Sequence, residues 1–425
     1  MSEAARPLEG LFVVSIEQAV AAPLCTVRLA DAGARVVKIE RPEGETARHY
    51  DSTVGGMSAY FVWLNRGKES AAIDLKCETD LALLNRMVAK ADVLVQNLAP
   101  GAIGRLGLSA ETIAERFPRL IAVNIVGYGQ DTDYAAMRAY DMLVQAESGL
   151  CSVTGTPDTP SKIGVSAADI ATGMNAHAAI LEALLAREKT GLGQVIEIAM
   201  FDGMADWMAV PLLHYEHAAR ETERYGLAHA SIYPYRPYVC RDGGAVVVSI
   251  QQNSEWKRFC NTVLQRPDLT DDARFATNAL RVANREGLDS EIEPIFAAID
   301  SDEAIRRLDT AQNAWGRVTE IRDLPRHKAL RRIEVSLPDG KRVSVPKPAV
   351  RQAGFADVPA VPALGAHTDR LRTEFALRRR FHGIAGRYRF ADLGRPVDRG
   401  GRYRHPASGR KFSRDAFTAR SRYGF

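Results

Sequence analysis

Six short apolar runs, most of them followed by a stretch of helical periodicity, fill the first half of the chain and restrict its fold more than any other feature. Leu11-Phe-Val-Val-Ser15, Arg35-Val-Val-Lys-Ile39, Ser70-Ala-Ala-Ile-Asp-Leu75, Val93-Leu-Val-Gln96, Leu120-Ile-Ala-Val-Asn-Ile-Val126 and Val195-Ile-Glu-Ile-Ala199 read as buried strands. The spacing predicts helices over 23–32, 79–91, 108–117 and 202–217 between or after them. Strands buried on both faces read as continuous apolar runs, and alternation with helices argues for a largely parallel sheet covered on both sides. In such sheets ligands gather beyond the carboxyl ends of the strands.

The strongest helical pattern runs from Asp169 to Lys189. Ile170, Met174, Ala178, Leu181, Leu184 and Leu185 make one apolar stripe, and Gly191 and Gly193 end it. Beyond about residue 225 the texture changes. Ser231-Ile-Tyr-Pro-Tyr-Arg-Pro-Tyr238 is extended and broken by proline, Gly244–Ile250 reads as a strand, and charged helical segments follow. Arg332–Pro346 has the pattern of a hairpin around Pro338-Asp339-Gly340. The expected organisation is α/β: a large domain whose first segment is 1–224, a smaller α+β domain over 225–325, a return segment over 326–370 that completes the large domain, and a tail over 371–425.

The net charge of +4 conceals an imbalance. From Leu371 to Phe425 there are fourteen Arg and one Lys against four acids, 15 − 4 = +11, so the remainder carries +4 − 11 = −7. The tail's low apolar content and high charge predict a poorly ordered extension. Its interleaved Arg and Tyr would suit single-stranded RNA, but a basic tail on an acidic body is no footprint for a whole-protein nucleic-acid binder, and no nucleic-acid partner is expected. The five cysteines, Cys25, Cys77, Cys151, Cys240 and Cys260, form no CxxC pair. They suggest neither a disulfide framework nor a metal site, and a reducing, cytoplasmic setting is expected. No apolar run approaches the ~20 residues of a membrane span.

A series of segments in fixed order narrows the function. They are Pro7-Leu-Glu-Gly10, Ala22-Pro23-Leu-Cys-Thr26, Leu29 to Pro42, Asn65-Arg-Gly-Lys68, Ala72-Ile-Asp-Leu-Lys76, Ala91 to Asn97, Pro100-Gly101, Leu106-Gly107, Gly127-Tyr-Gly-Gln130, Ala139-Tyr-Asp141, Asp169-Ile-Ala-Thr-Gly173, Thr190 to Gln194 and Leu364-Gly-Ala-His-Thr-Asp369. Together, over roughly residues 7 to 370, they resemble the class III CoA-transferases of the formyl-CoA transferase and carnitine CoA-transferase type, which are related to the α-methylacyl-CoA racemases. The resemblance implies a Rossmann-like large domain, an interlocked homodimer, acyl-CoA and carboxylic acid substrates, and no bound cofactor or metal beyond CoA itself as a substrate.

Asp169 is the residue on which chemistry is expected. CoA transfer needs a carboxylate that attacks a thioester and carries a covalent intermediate. Position alone leaves two roles open, since an Asp at a helix start is commonly a cap. The resemblance places the family nucleophile here. It also implies that Arg41 contacts the CoA nucleotide, that Asn97 and Arg105 lie on the pantetheine and phosphate path, that Arg138 lies near the cofactor portion, and that Lys68 is a further contact. Tyr140 would line the thioester pocket, and Asp141 would be either an acid close to the nucleophile or a helix cap.

The chain departs from formyl-CoA transferase at two points. Val20 stands where that enzyme has Gln, and no run of four glycines occurs. Formyl or oxalyl specificity is therefore not expected. His229-Ala-Ser-Ile-Tyr-Pro-Tyr235 is similar instead to branches that handle dicarboxylic acyl groups, which points to C4–C5 acids such as succinate, mesaconate, itaconate or citramalate. Two other readings stand beside the transferase. An α-methylacyl-CoA racemase would need a histidine just before the acid at 141, where this chain has Tyr140, a poor base with an ordinary pKa of about 10. A CoA-binding protein without turnover would leave Asp169 purely structural.

Overall fold

The computed structural model describes residues 6–350 and 358–376. Its centre is a sheet of six strands: β1 (Phe12–Ile16), β2 (Arg35–Glu40), β3 (Glu69–Ala72), β4 (Val93–Gln96), β5 (Ile121–Val126) and β6 (Val195–Ala199). All pairs are parallel and the spatial order is β3-β2-β1-β4-β5-β6. This is the doubly wound order, and the chain changes direction of winding between β1 and β4, where a crevice opens at the carboxyl ends of the strands. The six apolar runs are these six strands, within a residue or two at most ends. The third is shorter than its pattern because Ile73 and Leu75 already leave the sheet.

The helices that follow are α1 (Ala21–Asp31), α2 (Ala59–Asn65), α3 (Glu78–Val88), α4 (Ala102–Arg105), α5 (Ala110–Arg116), α6 (Asp141–Glu147), α7 (Leu150–Val153), α8 (Ala167–Thr190), α9 (Met200–Trp207) and α10 (Ala209–Ala218). Strand alternation divides the core. Val14, Val37 and Leu94 face α3 and α5 on one side, whereas Val13, Val36, Val93 and Val95 face α1 and α8 on the other.

Two helical expectations need correction. The apolar stripe of α8 is only partly its core face, with Ile170 and Leu184 packed against buried clusters. Ala168, Thr172, Ala176, Ile180 and Ala183 are buried, while Met174 and Leu185 are exposed. The reason is the approach of α1. A Cβ on Gly173 would stand 2.5 Å from the Ala21 carbonyl oxygen and 2.9 Å from Leu24 Cβ. Only a small-residue face permits that packing. The single helix expected over 202–217 is also two, α9 and α10, separated at Met208. No residue of α10 is buried, and Val210, Leu212, Leu213 and Tyr215 are each half exposed or more.

A second core, around Trp256, Phe259, Phe275 and Phe296, packs against an antiparallel sheet of β7 (Tyr235–Val239), β8 (Ala245–Ser249) and β9 (Ala314–Arg317) in the order β7-β8-β9. The proline-broken segment contains β7. Its Pro237 is tolerated because β7 lies at the edge of that sheet. Helices α11 (Asn253–Arg258), α12 (Asn278–Ala283), α13 (Arg285–Ala297) and α14 (Ser301–Thr310) complete this region. The hairpin of β10 (Arg332–Ser336) and β11 (Arg342–Pro346) packs Val335 and Val345 against Phe61 and Val62 of α2. The chain then returns along the edge of the large sheet. The backbone N–H groups of Ser70 and Ala72 donate to His367 Nδ1 and Thr368 Oγ1, both at 3.0 Å. Leu371 and Phe375, in and just after α15 (Thr368–Glu374), enter the core beside α3. Residues 377–425 of the basic tail lie outside the described residues. No helix among the described residues is long and apolar enough to cross a membrane.

Candidate active site

The turn from β1 into α1 organises the site from beneath. Glu17, its first residue, is fully buried and sits 2.7 Å from Lys68 Nζ and 3.4 Å from Lys38 Nζ. Lys38 lies 2.7 Å from Glu45, and the second oxygen of Glu45 accepts the Ala19 N–H at 2.8 Å. Burial alone would discharge these groups. It pushes the Glu17 carboxyl up, but Lys68 and Lys38 more than offset it and hold Glu17 below the usual carboxylate range. Burial also works against the Lys38 ammonium, yet Glu17, Glu45 and Glu40 keep its pKa above the ordinary lysine value. For Lys68 burial wins, bringing it down to about 8 despite Glu17.

Asp169 lies on the other side of this turn, in the first turn of α8. It does not cap its helix. Asp141, the first residue of α6, does: its Oδ1 accepts the N–H groups of Ala168 at 2.8 Å and Asp169 at 3.3 Å, and its Oδ2 accepts Gln145 Nε2 at 2.8 Å. Gln145 is fixed in turn by the Ile163 N–H at 2.9 Å. The Asp169 carboxylate is thereby released from capping its own helix. Burial, and secondarily the charge of Asp141, push it up to about 7, against a hydrogen bond from the Ala21 N–H at the start of α1. Tyr50 lies within electrostatic reach of it, and the exposed Tyr140 immediately precedes Asp141. The Tyr50 phenol is raised first by burial, in part against a hydrogen bond with Thr46, and then by the charges of Glu45, Asp169 and Tyr140.

A cavity of about 500 Å³ opens at the carboxyl ends of β1, β2 and β4. Gln18, Arg41, Lys76, Leu98 and Ala102 are among its lining residues. Arg41 projects from the end of β2, 4.0 Å from Glu43. The turn residues Gln18 to Ala21 therefore run between a cavity whose walls mix acids (Glu17, Glu40, Glu43, Glu45, Asp74) with the cations Arg41 and Lys76, and the partly buried carboxylate of Asp169.

Comparison with known proteins fits that arrangement. The model of CoA-transferase family III matches residues 8–368. The chain belongs to CoA-transferase family III. This transferase is 32% identical over 379 residues to the succinyl-CoA:glutarate CoA-transferase of Mus musculus, covering 87% of the chain and 86% of that relative. It is 35% identical over 378 residues to the acetyl-CoA:oxalate CoA-transferase of Acetobacter aceti, with 87% and 96% covered. The crystal structure of a CaiB/BaiF family protein from Brucella suis superposes with a TM-score of 0.75 at 33% identity, covering 87% of the chain and 100% of the other.

Within the transferase the expected site residues fall into three groups. Asp169, Asp141 and Tyr140 come together. Arg41 lines the cavity, and Arg105 is an exposed residue at the end of α4, one turn beyond the cavity residue Ala102. Arg138 is exposed in the segment that leads into Tyr140. Asn97 and Lys68 do other work. The Asn97 amide clamps the Gln18 backbone, accepting its N–H at 2.9 Å and donating one of its two N–H groups to its carbonyl at 2.8 Å. Lys68 is buried, with its ammonium donating to Glu17, the Pro23 carbonyl at 3.1 Å and Asn65 at 3.1 Å, so it has no donor left for a phosphate. Lys76 and Tyr50 escaped the sequence reading. Lys76 had a signal: like Arg41, it is a cation just past the end of a parallel strand. Tyr50 had none, because only the packing of the segment after β2 carries it to Asp169.

Proposed function

We propose that the transferase moves CoA between an acyl-CoA donor and a carboxylic acid acceptor through a covalent intermediate on Asp169. The observation that carries this reading is the carboxylate of Asp169, released from capping, partly buried against a second acid and met by the N–H at the start of α1. A raised pKa makes a carboxylate a better nucleophile once it is ionised, and placing it near 7 keeps about half of it ionised at neutral pH. Attack on the donor thioester expels CoA thiolate and leaves an aspartyl anhydride. The thiolate then attacks the aspartyl carbonyl, releasing the donor acid and forming an aspartyl-CoA thioester. The acceptor carboxylate attacks that thioester and the same two steps run in reverse. Each step exchanges one anion for another and no proton is transferred, so the mechanism asks for oxyanion donors rather than a general base. Donors of this kind are each worth ~3 kcal/mol in comparable sites.

Arg41, Lys76 and Arg105 would bind the nucleotide end of CoA, with Arg138 and Tyr140 nearer the thioester. Asp141 would hold the helix start and raise the nucleophile. C4–C5 dicarboxylates are the proposed acids, in keeping with the succinyl-CoA:glutarate name of the mouse relative; the oxalate named for the Acetobacter relative is the contrasting member of a substrate panel. The exposed apolar side chains of α10, together with Leu185 of α8, support an interlocked homodimer that covers them. Five unpaired cysteines fit a reducing cytoplasm.

Intact-protein mass spectrometry after brief incubation with succinyl-CoA, quenched with hydroxylamine or borohydride, tests the reading. Wild type is expected to carry a product mapping to Asp169. Asp169→Ala is expected to carry none and to lose ~10⁴-fold or more in turnover. Exchange of an α-proton of a branched acyl-CoA with deuterated water, and no adduct from any acyl-CoA, would instead establish a racemase.

A further inference from the structure

Ala19 is the residue on which the β1–α1 turn depends. Its φ is +62°, in the left-handed region that side chains other than glycine avoid. A non-glycine residue persists there only where its surroundings over-determine it. Two neighbours do so. Asn97 clamps the Gln18 backbone on one side, and Glu45 accepts the Ala19 N–H on the other. Glu45 is itself locked, 4% exposed and ion-paired to the fully buried Lys38, which also pairs with Glu17, and Glu17 pairs in turn with Lys68.

What this turn delivers is the start of α1. Two residues after Ala19 comes Ala21, whose carbonyl lies against Gly173 of the same helix as Asp169 and whose N–H lowers the pKa of the Asp169 carboxyl. The Ala22 N–H follows it, and Pro23 has none. Gly173, nearly two turns into α8, lets that helix press on the Ala21 carbonyl at the start of α1. The direction in which the first N–H groups of α1 point is therefore set by the backbone angles at Ala19.

We propose that Glu45 is a positioning residue for CoA transfer: through the Ala19 N–H it holds the turn in its left-handed form, and so aims the N–H groups that begin α1 at the reacting carboxyl of Asp169. The proposal rests on Asp169 as nucleophile. Glu45 lies at the wall of the cavity but is only 4% exposed, and its positioning role runs through the Ala19 N–H. Stabilising the tetrahedral oxyanion is the step that the aim of these N–H groups serves.

Four variants separate this role from a merely structural one. Glu45→Ala and Glu45→Gln both leave Lys38 without its nearer anion, so they are expected to lose similar thermal stability. Only Gln retains an acceptor for the Ala19 N–H. With succinyl-CoA and glutarate, Glu45→Ala is expected to lower kcat ~10²-fold with KM for succinyl-CoA unchanged, and Glu45→Gln to stay within about fivefold of wild type. Ala19→Val keeps the ion pairs but disfavours positive φ, and should lose kcat as Glu45→Ala does. Ala19→Gly, placed in the Glu45→Ala background, should recover much of the rate, because glycine adopts this φ freely. A second readout needs no substrate. The pH midpoint for carbodiimide-driven amine labelling of Asp169, whose other neighbours are Asp141, Tyr50 and Tyr140, should rise in Glu45→Ala and Ala19→Val and stay in place in Glu45→Gln. Equal losses in Glu45→Ala and Glu45→Gln, or an unchanged kcat and midpoint in Ala19→Val, would overturn the proposal. If wild type forms no Asp169 adduct, the nucleophile reading fails, and the labelling midpoints still decide whether Glu45 governs the turn.

Discussion

The two acidic clusters on either side of the β1–α1 turn are built on opposite principles. Beneath the turn, Glu17 and Glu45 are buried with Lys38 and Lys68 in a chain of ion pairs. Above it, Asp169 is partly buried beside Asp141, whose charge adds to the effect of burial. A charge buried with partners stays charged and fixes shape; a charge buried against its own kind is displaced from its ordinary pKa and becomes reactive. The turn between them is held by the first and serves the second.

The largest effect on the paired side should come from cutting it. Lys68→Ala leaves Glu17, Asn65 and the Pro23 carbonyl without their shared donor, and should destabilise the fold by about 3–5 kcal/mol in denaturant unfolding. KM for the acyl-CoA should not change selectively. A selective rise in KM with the fold intact would mean that Lys68 serves substrate after all, and the contrast between the clusters would break.

The unpaired side predicts the reverse sign. The native pKa of Asp169 lies near 7, above its ordinary value of 3.8. The native state therefore binds this proton more tightly, and its ionisation removes stability as pH rises from about 4 to about 7. Asp169→Asn should match wild type in stability near pH 4 and exceed it by about 2–4 kcal/mol at pH 8. Taking the difference between the two proteins cancels the titration of Glu17 and Glu40, which is common to both. A pH-independent difference would sink the idea that like charge and burial strain the site.

The smallest effect sharpens the contrast between buried and exposed charge. Arg41 is solvent-exposed at the cavity wall, so Arg41→Ala should raise KM for the acyl-CoA about 5–10-fold, roughly 1–1.4 kcal/mol, and leave kcat and stability alone. Wild-type KM should climb with ionic strength, since exposed charges are screened. A fall in kcat would place Arg41 nearer the chemistry than the cavity does.

Much of this was legible in advance, residue by residue. The six strands were readable because runs such as Val93-Leu-Val-Gln96 are buried on both faces and need no context. Asp169 and Asp141 were readable as a pair of positions, but not their division of labour. Only the packing of α6 against the start of α8 makes Asp141 the cap and frees Asp169. The α8 stripe misled because apolar periodicity shows that a helix has an apolar side, not that this side meets its own chain's core. Lys68 misled because a lysine in an ordered motif looks the same whether it meets a phosphate or a buried glutamate.

The sequence by itself determined the alternation of strand and helix, the place of Asp169 at the head of α8 and the family that follows from the ordered motifs, because local periodicity and residue chemistry are carried within each segment. Tertiary structure alone decided which charges are paired, which acid caps, and which turn stands over the carboxylate. Those outcomes depend on Glu17, Lys38, Glu45, Lys68, Asp141 and Asp169 meeting across long stretches of chain. The energy of a charge is set by what surrounds it, and not by its neighbours in sequence.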